Sequence, residues 1–256
     1  MSALDLTILL PALVAGLLVT ATHVPLGAQV LARGIVFIDL AIAQIAGCGV
    51  LIADRLGFEP EGIAVQVAAL VAALLGAVLL TWTERRWPDV QEALIGVVFV
   101  LAATGGILLL ASNVRGGEHL RDLLVGQILW VAPRQLAWAA IVYAVLLAIW
   151  FGVGPRLGRT GFYVIFACVV TVSVQLVGVY LVFATLIVPP LAVRNLDKRR
   201  IPAAWMLGIV GYAIGLVVST VLDLPSGPVI VWTLAALGVV VYALSNRRTD
   251  LQSVTS

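Results

Sequence analysis

The sequence predicts an all-α, polytopic transmembrane helical bundle, and three observations predict it. Of its 256 residues, 62% are hydrophobic and 11% are charged, whereas a water-soluble fold carries ~45–50% apolar and ~25% charged residues. The mean hydropathy is +1.14. Apolar runs near the ~20 residues that a helix needs to cross ~30 Å of hydrocarbon recur along the whole chain. Finally, Lys and Arg lie at the ends of those runs or outside them, and mostly in alternate connections. These features exclude a soluble enzyme. A net charge of +2 without a basic tract gives no reason to expect a nucleic-acid partner.

The runs lie at 6–23, 35–53, 62–82, 92–112, 136–153, 162–194, 202–222 and 225–245. Residues 1–5 hold no Lys or Arg, so the first run reads as a retained span rather than a secretory signal, which begins with a basic region. The run 162–194 is too long for one crossing. Gly178 inside it and Pro189–Pro190 near its end predict two shorter helices packed as a hairpin. The apolar stretch 123–131 is too short to cross and reads as interfacial or re-entrant. Eight or nine crossings are therefore expected, in a single membrane domain over residues 1–256 with 246–256 as a flexible polar tail. Neither internal repeats nor a linker divides the chain. Cys48 and Cys168 fall in apolar runs and read as buried small hydrophobes.

Orientation follows from the basic residues. With the N-terminus outside and 162–194 as a hairpin, Arg33, Arg85, Arg86, Arg156, Arg159, Arg194, Lys198, Arg199, Arg200, Arg247 and Arg248 face the cytoplasm. Only Arg55, Arg115, Arg121 and Arg134 then face outward. A single crossing at 162–194 would move Arg156 and Arg159 to the outer side and weaken the asymmetry.

Few residues can carry chemistry. Asp39 is the one acidic side chain inside an apolar run rather than at its edge, and an ionisable group there points to function. It also lies ~9 Å along the helix from Arg33, so an interfacial ion pair with Arg33 or Arg85 is the structural alternative. Gln44 sits deeper in the same run, where an amide either meets a substrate or bonds a neighbouring helix. Five residues separate the two, which sets them ~140° apart around a helix. His23 closes the first run beside Pro25 and Gly27. The other histidine, His119, lies with Glu118 and Asp122 in an outward loop that reads as solvated more readily than as a metal entry site. No close His pair of the kind that zinc sites use is present. Gly-rich nucleotide loops, Gly-x-Ser-x-Gly and His-Glu-x-x-His are absent too. The chain thus has no ATPase or hydrolase of its own, and any active transport draws on another subunit or on an ion gradient.

Four segments resemble the permeases of the zinc/manganese/iron ABC uptake family over nearly the full length. They are PLGAQVLARGIVFIDLAIAQIAGCG, then EALIGVVFVLAATGGILLLASN with LLVGQILWV, then VVTVSVQLVGVYLVFATLIVPPLAVR, and LDLPSGPVIV. The family commonly carries Gly-Asp-x-x-x-His in its second helix; here the acid is shifted by one position to Asp39, and Gln44 stands where the His would be. The chain fits a branch that reads Phe-x-Asp-Leu-Ala-x-Ala-Gln. The family's acidic, aromatic coupling segment before residue 162 is reduced to GVGPRLGRTG. The resemblance implies an ABC importer permease in a bacterial inner membrane, N-terminus outside and C-terminus cytoplasmic. It implies a homodimer that holds no cofactor and passes a divalent metal ion as substrate. A separate ATP-binding cassette subunit docks inside, and a metal-binding protein docks outside. Asp39, Gln44 and His23 are the expected transient metal contacts, and Arg156 and Arg159 the expected contacts to the ATPase. The competing expectation is a secondary carrier or exporter driven by an ion gradient.

Overall fold

The computed structural model describes residues 6–59, 62–110, 128–153, 156–196 and 199–254. Nine α-helices make up nearly all of the described residues, with no strand among them. They are α1 (Leu6–Arg33), α2 (Ile38–Arg55), α3 (Ile63–Arg86), α4 (Gln91–Leu110), α5 (Pro133–Val153), α6 (Gly158–Val177), α7 (Val179–Ala192), α8 (Arg200–Leu222) and α9 (Ser226–Val254). Short 3-10 turns cover Pro88–Val90 and Ile128–Trp130. Helices are the expected answer to an apolar sequence in lipid, since they satisfy every backbone N–H and C=O within one segment.

Seven of these helices are long and apolar enough to cross a bilayer, so the expected count of eight or nine is not supported. Two helices account for the difference. At 14 residues α7 spans only ~21 Å. The 18 residues of α2 include Asp39, Asp54 and Arg55, too many charges for an apolar span. The run 162–194 does divide, at Gly178, whose φ of 82° and ψ of 161° favour a residue without a Cβ. Pro189 and Pro190 lie inside α7. The helix α9 runs on through Val254, into the stretch 246–256.

Small residues set the packing, as in other membrane bundles where backbones approach closely. Along α1, Gly16 faces Tyr212, Thr20 faces Gly208, and Val24 lies with Ala204, an antiparallel register with α8. Gly27 brings α1 against the Leu186 carbonyl and Pro190 of α7. Between α2 and α3, Gly49 meets Ala68 and Ala72 while Gly76 meets Ile42 and Ile45, again antiparallel. In the α8–α9 hairpin, turned by Asp223 at φ 53°, Gly211 and Gly215 receive Leu234 and Ile230. Neutral bonds tie further pairs: Tyr143 to Ser173 and, at 2.9 Å, Thr185 to Tyr212. The outer faces of α3, α4 and α5 present exposed apolar side chains such as Ile63, Leu75, Leu101 and Ile141.

Of the stretch 123–131, residues 123–127 lie outside the described residues. The remainder starts with the 3-10 turn, which buries Ile128 and exposes Trp130. The cluster Glu118, His119 and Asp122 also lies outside them.

Candidate functional site

Asp39 sits in the first turn of α2, directly after the tight connection from α1 that Gly34 permits with its φ of 67°. A carboxylate suits that place because helix N-termini carry partial positive charge. Its side chain is completely buried, and neither oxygen has a hydrogen-bond partner. The ion pair open to it on sequence grounds is not made: Arg33 lies 4.2 Å from the Phe162 ring and Arg85 donates to Thr160 Oγ1 at 2.7 Å. A buried carboxylate without a partner is costly unless something else meets it.

Gln44 is partly exposed and turned away from Asp39. It shares its helix face with Cys48 and Leu51, four and seven residues on, and both of those meet Gly106 of α4. Cys48 also donates to the Ala102 carbonyl at 3.2 Å. Both cysteines are free thiols.

His23 is fully buried on α1, ~15 Å along the helix axis from Arg33. Its Nδ1 lies 3.0 Å from the Val19 carbonyl and 3.1 Å from Thr22 Oγ1. A carbonyl only accepts, so Nδ1 carries the proton and Nε2 keeps its lone pair, the form in which imidazole binds a metal or accepts a proton. That Nε2 has no partner. Neither does the indole N–H of Trp205, which the α1–α8 register places level with His23.

The three residues do not converge. The helices α1 and α2 barely touch each other; both pack on α6 and α7. Asp39 is at a helix end, His23 is several turns away, and Gln44 faces α4. Among the described residues no three His, Cys, Asp or Glu side chains gather into a group able to hold a metal. The arrangement can offer single oxygens and a nitrogen in succession, not a closed coordination shell.

A second polar group gathers where α1 and α3 end and α4 and α6 begin. Arg159 Nε lies 3.8 Å from Glu84 Oε1, and Arg85 bonds Thr160, so the first turn of α6 is tied to the end of α3 twice. Arg156 is exposed beside it. Inside these ties, Gln91 Nε2 donates to the Leu80 carbonyl at 3.0 Å and to the Tyr163 hydroxyl at 3.2 Å. The Phe37 N–H donates to Glu92 Oε1 at 3.3 Å, bringing the start of α2 to the same end. Glu84, Gln91, Tyr163 and Trp205 escape a sequence reading. Glu84 reads as one charge in an ordinary basic loop, and the others as polar residues at span ends. Convergence in space marks the first three, and the place level with His23 marks Trp205.

Fold and site together define a multi-pass helical membrane protein whose few buried polar groups are strung along the bundle. The chain belongs to the ABC 3 transport family, which matches it over residues 5–153 and 147–245. It is 24% identical over 261 residues to the manganese transport system membrane protein MntC of Halalkalibacterium halodurans, covering 93% of this chain and 87% of that one. It is 25% identical over 251 residues to the high-affinity zinc uptake system membrane protein ZnuB of Haemophilus influenzae, covering 88% and 92%. The fold matches that of PsaBC from Streptococcus pneumoniae, solved in complex with Fab, with a TM-score of 0.75 at 21% identity over 92% of this chain and 91% of that one.

Proposed function

We propose that the chain is the membrane-spanning permease subunit of an ABC transporter that imports divalent metal ions such as zinc, manganese or iron. The observation that carries this reading is the family match along almost the whole chain, with full-length relatives named for manganese transport and zinc uptake. Two copies form the pathway between them in a bacterial inner membrane. A separate ATP-binding cassette subunit supplies the energy, consistent with the absence of a nucleotide loop in this chain. A metal-binding protein delivers the ion from outside.

The physics of the path follows from hydration. A divalent cation cannot leave water for hydrocarbon without replacement oxygens or nitrogens. Asp39 supplies an anionic oxygen, Gln44 an amide oxygen and His23 a nitrogen lone pair, at different places along the bundle. Spread in this way they pass an ion on rather than trap it. Gln44 in place of an imidazole removes a nitrogen that zinc favours, so the choice of metal rests on the other contacts.

Orientation and coupling complete the proposal. The end that holds Arg33, Arg85, Arg86, Arg156 and Arg159 faces the cytoplasm, with the N-terminus outside and the C-terminus inside. Arg156, just before α6, and Arg159, in its first turn, meet the ATPase. An ion-gradient carrier is the competing reading. Carrier sites lie near the membrane midplane, whereas Asp39 is in the first turn of its helix. Purification of the affinity-tagged chain from its own cells tests the proposal. Recovery of a stoichiometric ATP-binding cassette subunit is expected, and a chain that purifies alone while still moving metal would overturn it.

A further inference from the structure

Two polar side chains stand open at the depth of the hydrocarbon, one on each side of the break at Gly178. Hydrogen bonds to neighbouring spans give their level. Ser173 of α6 bonds Tyr143, which is ten residues from either end of α5. Thr185 of α7 bonds Tyr212, twelve residues from the start of α8 and ten from its end. Both bonds therefore mark the middle of the bundle. Gln175 lies two residues past Ser173, ~3 Å along the axis, and Tyr180 five residues before Thr185, ~8 Å along it. Half the hydrocarbon thickness is ~15 Å, so neither residue is at the level of the headgroups. Yet Gln175 is exposed, and Tyr180 is 51% exposed.

Their surroundings differ from those of a lipid face. On α4 and α5 the exposed side chains are broad apolar sets that include Leu101 and Ile141. The helix α6 is instead almost wholly buried: between Phe162 and Val177 only Val164, Cys168, Val172 and Gln175 escape full burial. Spaced by four, four and three residues, they form one narrow strip along the helix that ends on the amide. The break adds open backbone beside it. Gly178 donates its N–H to the Val174 carbonyl, but a helix end leaves the C=O groups of its last turn, and the next helix the N–H groups of its first, without helical partners. Within a bilayer, such groups are tolerated only where protein buries them or water reaches them. Protein does not cover Gln175 and Tyr180 in the single chain. Water must reach them, in a space that one protomer leaves open and a second copy encloses.

We propose that the break at Gly178 lines the water-filled route between the two copies, where the Gln175 amide oxygen and the Tyr180 hydroxyl meet a hydrated divalent cation. The inference rests on the permease reading above and adds a contact zone to Asp39, Gln44 and His23. It lies beyond the middle of the bundle, away from the end that holds Arg159, because α6 starts at that end. Oxygen ligands suit a hard cation, and neither oxygen carries charge, so the ion is met and released rather than held.

The test uses the permease with its ATPase and metal-binding protein in proteoliposomes, with Cys48 and Cys168 replaced by Ala. Gln175→Cys and Tyr180→Cys place single thiols at the break, and Leu101→Cys and Ile141→Cys place control thiols at mid-span on α4 and α5. The probe is a charged, water-soluble methanethiosulfonate, which reacts with the thiolate. An apolar setting raises a thiol pKa by about a unit or more, so the two thiols at the break are expected to react about tenfold faster than both controls. That difference is expected in the nucleotide-free complex, the ATP-bound complex or both, and the attached charge is expected to stop Mn2+ uptake. Reaction as slow as the controls in both states would overturn the inference. Complete labelling that leaves Mn2+ uptake unchanged would also overturn it, because a bulky cation on the route must obstruct the ion. Gln175→Leu reads the same contact without a thiol: uptake should fall about fivefold, the worth of one uncharged contact, with the ATPase still bound. Wild-type uptake in that variant would remove Gln175 from the route. The permease reading fails separately, if the unlabelled wild-type complex hydrolyses ATP and moves no metal.

Discussion

The approach of α1 to α7 at Gly27 gives a direct test of the packing. A Cβ placed on Gly27 of α1 would lie 1.8 Å from the Leu186 carbonyl oxygen of α7 and 3.1 Å from Pro190. Carbon and oxygen rest at ~3.3 Å or more, so Gly27→Ala must part the two backbones by ~1.5 Å at this point. The obstacle is backbone, not the far end of a flexible side chain. Overpacking costs ~1–3 kcal/mol, and a rigid obstacle places this change near the top of that range. The helix preference of Ala over Gly offsets up to ~1 kcal/mol. A net loss of ~2 kcal/mol corresponds to a melting temperature ~4–8 °C lower in a chain of this size. Gly152→Ala is the control: nothing lies within 4 Å of its added Cβ, so it should leave melting unchanged or raise it. Heating detergent-solubilised protein and following the surviving peak by size-exclusion chromatography measures both. A Gly27→Ala variant as stable as the wild type would refute the α1–α7 crossing.

Further outcomes follow from other residues. Asp39→Asn removes a buried charge that has no partner, so thermal stability should hold or rise while metal uptake falls about tenfold, the loss of ~1.4 kcal/mol of ion contact; unchanged uptake would remove Asp39 from the path. Tyr212→Phe breaks the bond to Thr185 and should cost ~0.6–1.7 kcal/mol, read as a melting temperature a few degrees lower with uptake retained. Reversing Arg156 and Arg159 to Glu should lower uptake-coupled ATP hydrolysis without affecting membrane insertion, and normal coupling would move the ATPase contact elsewhere. In a cysteine-free background, cysteines at Gly117 and Arg199 should be labelled from outside and from the cytoplasm respectively; the reverse pattern would invert the topology.

The helical class was legible because lipid leaves a chain few options and the apolar runs are long. The break at Gly178 was legible for the same reason, since a run of that length with a glycine inside cannot be one span. The span count was not. Charge within α2 and the shortness of α7 separate helices that pack lengthwise in the bundle from helices apolar enough to face lipid, and a hydropathy run alone does not make that distinction. At the site, the 140° offset of Asp39 and Gln44 follows from helical geometry and can be read in advance. The free Nε2 of His23 cannot, because it depends on which neighbour takes Nδ1. Glu84 was hidden for a related reason. Its partners Arg159 and Tyr163 are 75 and 79 positions away in the sequence.

The central claim is that this chain conducts metal ions under the power of ATP hydrolysed by a partner. The most direct measurement is uptake of radioactive manganese or zinc into proteoliposomes holding the chain with its ATPase and metal-binding protein, with and without ATP at the ATPase. The account predicts accumulation that requires ATP, persists when ion gradients are collapsed, and drops when Asp39 is replaced by Asn. Uptake that ignores ATP and follows an imposed proton or sodium gradient would contradict it and establish the carrier reading.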